Sequence, residues 1–76
     1  MIGARTILIG TPAGASVKVM LGVPLLLTDG QWACRIHAHD PNLDGVTMVA
    51  STPGQAQDRA AWFARDAVLG PARWSE

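Results

Sequence analysis

Two histidines and an aspartate lie close together near the middle of the chain, at His37, His39 and Asp40. His37 and His39 are two residues apart, so on a β-strand their side chains project to the same face. Imidazole nitrogens bind zinc, but a zinc site needs further ligands, and Cys34 has the wrong parity to supply one from the same strand. We interpret the histidines as solvent-facing residues at a strand end, with weak metal binding as an alternative, and assign no metal ligand.

Cys34 is the single cysteine of the sequence, so no disulfide can form within one chain. A cysteine nucleophile requires a nearby base or positive charge that favours the thiolate. Cys34 instead shares one face of an alternating segment with Trp32 and Ile36, which predicts an inert side chain in the core. A lone cysteine is also typical of a reducing compartment.

The remaining polar and glycine-rich segments match no catalytic pattern. Asp29, Asp40 and Asp44 lie in turn sequences, where aspartates usually bond to their own backbone, so we do not interpret them as paired catalytic carboxylates. The glycines between residues 10 and 22 are not followed by the Lys-Ser or Lys-Thr of a phosphate-binding loop. The sequence therefore predicts no catalytic residue and no cofactor, and we expect the protein not to be an enzyme.

Charge and hydropathy exclude two classes of partner. Six basic and six acidic residues cancel, so non-specific binding of nucleic acid has no electrostatic basis, and no run of basic residues indicates a local patch. No apolar run approaches the ~20 residues that span a bilayer, and the apolar run at residues 7–9 is too short for a signal peptide. We expect no nucleic-acid partner, no membrane partner and a cytoplasmic location.

The clearest predicted element is a helix that begins after Thr52 and ends at about Leu69. A threonine cap, a proline at the first helical position and Gln55 three residues after the cap are typical of a helix N-terminus. Gly70 and Pro71 predict the end of the helix. Its apolar stripe comprises Ala56, Ala60, Phe63 and Ala67, with Ala64 beside it. Small side chains let a helix approach a flat surface, so the stripe favours packing on a sheet, with Phe63 in the core.

Short apolar segments before the helix predict β-strands at residues 4–9, 17–21, 31–37 and 46–50. Asp29-Gly30 is a strong turn signal, and Pro24 belongs at an edge, a bulge or a strand end. Sequential hairpins give an antiparallel arrangement. We therefore predict an α+β fold, in which an antiparallel β-meander of three to four strands carries one C-terminal helix on one face. The chain forms a single domain over residues 1–76.

The apolar content exceeds what so small a domain can bury. Hydrophobic residues make up 49% of the 76 residues and charged residues 16%, while a domain of this size buries only about 60% of its unfolded surface. We therefore expect a homo-oligomer and a non-enzymatic protein-interaction module that self-associates. The candidate interface residues are Leu25, Leu26, Leu27, Trp62, Leu69 and Trp74.

Two of these candidates have alternative interpretations that the sequence leaves open. The three consecutive leucines could tuck under the helix or along a sheet end instead of forming an interface. Trp74 could fold back near Trp62 and Leu69 or dock on a partner chain.

Four separated pieces of the sequence resemble a family of small uncharacterised bacterial proteins, defined only as a domain of unknown function. The pieces are Arg5-Thr6-Ile7-Leu8, Val17-x-Val19-x-Leu21-Gly22-x-Pro24, Asp29-Gly30-x-Trp32-x-Cys34-x-Ile36 and Gln55-Ala56. The resemblance implies a layout of strands and helix and no activity. The long turn from Asp40 to Gly45 and the tryptophan-bearing tail depart from it.

The C-terminal two-thirds is more weakly similar to HicB-like antitoxins of bacterial toxin–antitoxin pairs. The similarity covers Asp29-Gly30-x-Trp32, the following strands and the helix opening Thr52-x-x-Gln55-Ala56, where the family has Thr-x-x-Glu-Ala. This resemblance implies inhibition of a small toxin partner. The chain departs from the family because it lacks an appended DNA-binding segment and a helix after the first strand.

Overall fold

A computed structural model describes the backbone of residues 2–74 and the side chains of residues 2–70. The elements are β1 (Arg5–Gly10), β2 (Ser16–Leu21), β3 (Leu25–Leu26), β4 (Trp32–Ala38), β5 (Thr47–Ala50) and α1 (Pro53–Trp74). All strand pairs are antiparallel and α1 packs on the sheet. The predicted α+β fold is therefore confirmed.

The sheet is built around β4. Both β3 and β5 pair with Trp32 and Ala33, so these two strands must lie on opposite sides of β4. β2 pairs with β4 further along, at Ile36–Ala38, and β1 pairs with the outer side of β2. The order across the sheet is therefore β1, then β2 and β3 end to end, then β4, then β5, which is the predicted meander with β3 added.

A β-bulge separates β2 from β3. Leu21 pairs with Ile36 and Leu25 pairs with Ala33, so four residue steps on one strand oppose three steps on β4. A β-carbon on Gly22 would lie 3.2 Å from the carbonyl oxygen of Arg35, which explains a glycine at this close approach. Pro24 lies in the bulge, as its missing N–H predicts.

The turns follow their sequence signals. Gly30 has φ of 86° between β3 and β4, a left-handed conformation that glycine adopts without strain. The predicted turn aspartates do bond to nearby backbone. Their carboxylates accept hydrogen bonds of 2.9–3.2 Å, Asp29 from Gln31, Asp40 from Asn42 and Asp44 from Ala38.

The core lies between α1 and one face of the sheet. Its fully buried residues are Ile9, Val19, Leu21, Cys34, Ile36, Leu43, Ala50, Ala56, Ala60 and Ala64. Cys34 and Ile36 lie on the predicted helix-facing side, with Trp32 half-buried beside them. The burial of Leu43 was not predicted, because Leu43 comes from the loop between β4 and β5, which is polar in sequence. Alanine along the helix brings its backbone close to the strands, which leaves little room for larger side chains there.

Two predictions about the helix are wrong. α1 continues through Gly70 and Pro71 to Trp74 instead of ending near Leu69. A glycine that ends a helix usually adopts positive φ, and among the described residues the glycines with positive φ are Gly14, Gly30 and Gly45. Gly70 is instead a buried residue within the helix.

The second correction concerns the buried side of α1. Phe63 is 38% exposed and Ala67 is exposed, so neither belongs to the core. The buried row follows i, i+4 spacing through Ala56, Ala60 and Ala64. Phe63 lies beside this row. The small alanine side chains let their side of the helix approach the sheet more closely than a side that carries Phe63.

Among the described residues, no helix combines the length and the apolar character needed to cross a membrane.

Candidate interaction surface

Large apolar side chains are exposed on three parts of the described structure. The sheet face opposite α1, here called the open face, carries Leu8, Met20 and Leu25. Val23, Leu26 and Leu27 lie around β3, while on α1 Trp62 lies on the outer side and Phe63 beside the buried alanine row. Leu8 and Met20 lie on strands whose other side is buried, so their exposure follows from the one-sided cover that α1 gives the sheet.

The open face mixes apolar and polar side chains. Strand register places Leu8 beside Lys18, and Met20 beside both Thr6 and His37. Leu8 is 70% exposed, the most exposed of the large apolar residues. This face therefore presents separate apolar side chains among polar ones, and not one continuous apolar patch.

The three consecutive leucines lie along the sheet edge and not under the helix. Leu25 projects to the open face at 66% exposure, and Leu26 is 62% exposed although its partner Trp32 faces the helix. A neighbouring apolar groove of about 270 Å³ is lined by Ile2, Val23, Pro24, Trp32 and Pro53. Leu25, Leu26 and Leu27 therefore remain available as interface candidates.

Trp62 lies on the outer side of α1, next to the start of β1. It is 61% exposed, and the guanidinium carbon of Arg65 lies 5.3 Å from its ring centroid, within cation–π range. Arg5 and Asp58 form a 3.8 Å ion pair beside it, which contributes little because both side chains are exposed. Trp62, Arg5 and Asp58 share the lining of a hollow of about 160 Å³.

The other two C-terminal candidates have different outcomes. Leu69 is half-buried and packs against the core, so it does not share the exposure of Trp62. The side chain of Trp74 lies outside the described residues.

The histidines lie on and just beyond the end of β4. Both are exposed, and with Lys18, Met20, Ala38 and Asp44 they line a hollow of about 300 Å³. Over residues 2–74, no group of three or more His, Cys, Asp or Glu residues comes close enough to hold a metal ion. The Asp44 carboxylate near them accepts the Ala38 N–H at 3.2 Å, which gives it a structural role in the loop.

Cys34 is fully buried in β4. Its thiol donates to the carbonyl oxygen of Gly22 at 3.3 Å. Burial raises the pKa of the Cys34 thiol, and the hydrogen bond to Gly22 opposes this only in part. A raised pKa disfavours the thiolate, the form in which cysteine acts as a nucleophile. The burial of Cys34 agrees with the core position that the sequence predicts.

Gln57 is a structural residue that sequence reasoning missed. It is 6% exposed, and its Nε2 donates to the carbonyl of Gly3 at 2.9 Å and to that of Gly22 at 3.5 Å. The side chain thus ties the segment before β1 and the bulge to the helix. The only sequence signal for this role is that Gln57 follows Ala56, a residue of the buried alanine row. The two residues that Gln57 bonds to lie far from it in the sequence.

Comparison with protein-family models, with characterised proteins and with solved structures found no match to this chain.

Proposed function

We propose that this protein is a non-enzymatic interaction module that associates with itself. The observation that carries this proposal is the exposure of eight large apolar side chains within the described part of an 8.0 kDa chain. Apolar residues exposed together on small proteins commonly mark interaction sites. The exposed residues around β3 lie together in this way, and the open face adds separate apolar positions.

The small size of the core supports the same proposal. Its largest fully buried side chains are Leu21, Ile36 and Leu43, and much of the rest is alanine. Cores of this size rarely supply more than about 3–5 kcal/mol. Burying one exposed leucine completely gives roughly 1.5–3 kcal/mol, so a modest interface would add a stabilisation comparable to that of the core.

Sedimentation velocity over a range of micromolar concentrations tests self-association. We expect a species of twice the 8.0 kDa chain mass or larger, which dissociates on dilution. A single species of chain mass at every concentration would contradict the proposal.

A second candidate function is inhibition of a small toxin, after the weaker resemblance described above. The helix opening that carries this resemblance is formed, with the Gln55 N–H donating to the Thr52 hydroxyl at 3.2 Å. The neighbouring reading frame provides the test. A short, strongly basic product that copurifies with this chain would support inhibition of a partner, and its absence would remove the candidate.

A further inference from the structure

The two longer edge strands of the sheet, β1 and β5, differ in whether a side chain bonds to their outward backbone groups; the two-residue β3 forms a third, shorter edge. In an antiparallel pair, alternate residues direct their N–H and C=O groups toward the partner strand and away from it. The Ile36 N–H donates to the Val46 carbonyl at 2.8 Å, so Val46 directs its backbone groups toward β4. By alternation, Thr47 and Val49 direct their N–H and C=O groups outward. Arg59 reaches from α1 and donates to the outward Val49 carbonyl at 2.9 Å.

The same reasoning identifies the outward groups of β1. The Thr11 N–H donates to the Ala15 carbonyl at 2.8 Å, which fixes the odd-numbered residues as those that bond with β2. Thr6, Leu8 and Gly10 therefore direct their N–H and C=O groups away from the sheet. Over the described backbone no strand pairs with this edge, and the side chains of residues 2–70 make no hydrogen bond to its outward groups.

β1 lacks the features that normally protect an edge strand. Natural edges are blocked by proline, bulges, inward charges, or a covering helix or loop. β1 is a regular strand of six residues, and its only charged residue, Arg5, lies at the start and pairs with Asp58. At its centre is Leu8, the most exposed large apolar residue.

We propose that β1 pairs antiparallel with β1 of a second copy of this chain, joining the two sheets into one. This inference rests on the proposed self-association and names its site. With Leu8 opposite Leu8 of the second copy, Thr6 lies opposite Gly10 on each side. All three outward residues of each strand then form hydrogen-bonded pairs, which gives about six backbone hydrogen bonds in total.

Side-chain positions favour this self-pairing. The two Leu8 side chains meet on the open face. Each Leu8 has Lys18 as its neighbour on β2, and the aliphatic stem of Lys18 can cover the Leu8 side chain. Strand geometry places the two Lys18 residues about 14 Å apart and the two Arg5 residues about 20 Å apart. Both separations exceed the Debye length of about 8 Å at physiological salt, so like charges do not oppose the pairing.

The size of the contact determines the concentrations to be used. One pair of six-residue strands with the Leu8 contact buries on the order of 1,000 Å² in total, at the lower limit for specific interfaces. Trp62 lines the hollow beside Arg5, on the helix side of the same edge, and adds apolar surface there. The dimer is therefore expected to be reversible, with dissociation in the micromolar range.

The test compares sedimentation of the wild-type chain with Leu8→Pro and Leu8→Lys, which alter β1, and with Leu25→Lys, which alters the rival interface candidate at β3 by the same substitution. Proline at position 8 removes an N–H that faces away from β2, so the β1–β2 hydrogen bonds are preserved. Leu25 has nearly the same exposure, 66% against 70%, and lies on the same face, but on β3 and not on β1. We expect dimer dissociation constants to rise roughly tenfold or more for both Leu8 variants and to stay unchanged for Leu25→Lys.

Amide hydrogen exchange on the wild-type chain gives a second readout that does not depend on a variant folding. Exchange at Thr6, Leu8 and Gly10 should slow as protein concentration rises, while exchange at Thr47 should not. Edge pairing would be overturned if exchange at these residues did not slow and the dimer either persisted in the Leu8 variants or dissociated only in Leu25→Lys. Self-association itself would then still stand. A wild-type monomer at every concentration would overturn both proposals.

Discussion

β1 and β5 are both edge strands of one antiparallel sheet, but they differ in their contact with α1: among the described side chains, one from α1 bonds to an outward carbonyl of β5 and none bonds to an outward backbone group of β1. Arg59 can reach Val49 because α1 packs mainly over β4 and β5 and makes few contacts with β1. The same helix that covers the core thus protects the near edge and leaves the far edge open. Edge protection in this protein is therefore a consequence of where one helix lies on the sheet.

The largest effect on the free energy of unfolding is expected from a substitution in the core, at Leu21. Leu21 is fully buried on β2 and pairs with both Arg5 on β1 and Ile36 on β4. Leu21→Ala should lower the free energy of unfolding by roughly 2–5 kcal/mol, measured by urea denaturation. Leu25→Ala, at an exposed site, is the control and should change the midpoint little. Equal midpoints for the two variants would show that β2 does not carry the core.

Gln57→Ala tests the tie between the helix and the segment that leads into β1. It would leave the Gly3 and Gly22 carbonyls without the amide donor, so we expect a loss of roughly 1–3 kcal/mol. Urea denaturation measures the loss, and exchange of the β1 amides should accelerate more than that of β5. Gln55→Ala, which removes one exposed hydrogen bond from the Ser51 hydroxyl at 3.0 Å, serves as the comparison and should cost less. A stability loss that left both edges equally protected would contradict this link.

Arg59→Ala tests the protection of β5 directly. Losing one exposed hydrogen bond should cost about 1 kcal/mol or less, because water can replace the donor. The main effect is expected in assembly: with two free edges, the sheets can join at both ends, so sedimentation should detect species larger than the dimer. Arg65→Ala removes a guanidinium next to Trp62 and should leave assembly size unchanged. Dimers that do not grow in Arg59→Ala would show that another feature protects β5.

Phe63→Ala is expected to change stability modestly and to leave assembly unchanged. A core phenylalanine replaced by alanine costs roughly 3–5 kcal/mol, but Phe63 is 38% exposed beside the alanine row. Phe63→Ala should therefore cost well below that range, about 1–2 kcal/mol, as measured by urea denaturation. A full core-sized loss would indicate that Phe63 packs more deeply than its exposure suggests.

Several features were predictable because their causes lie within a few residues. The Gln55 N–H bonds to the Thr52 hydroxyl at the helix start, as the capping pattern predicts. Gly30 adopts the left-handed conformation that its turn requires. Alternation along β4 correctly placed Cys34 in the core, since successive strand residues project to opposite faces. Exposure of Trp62 also follows from its position among polar helix residues.

The sequence by itself determined where the helix begins, where the chain turns and which side of each strand is apolar, because those signals act between residues close along the chain. Only the tertiary structure decided that the row of alanines, and not Phe63, faces the sheet. It likewise decided that Gln57 bonds to Gly3 across 54 positions, and that Arg59 protects one edge of the sheet and not the other. These contacts depend on how closely the helix approaches the strands, and that distance results from packing the whole core.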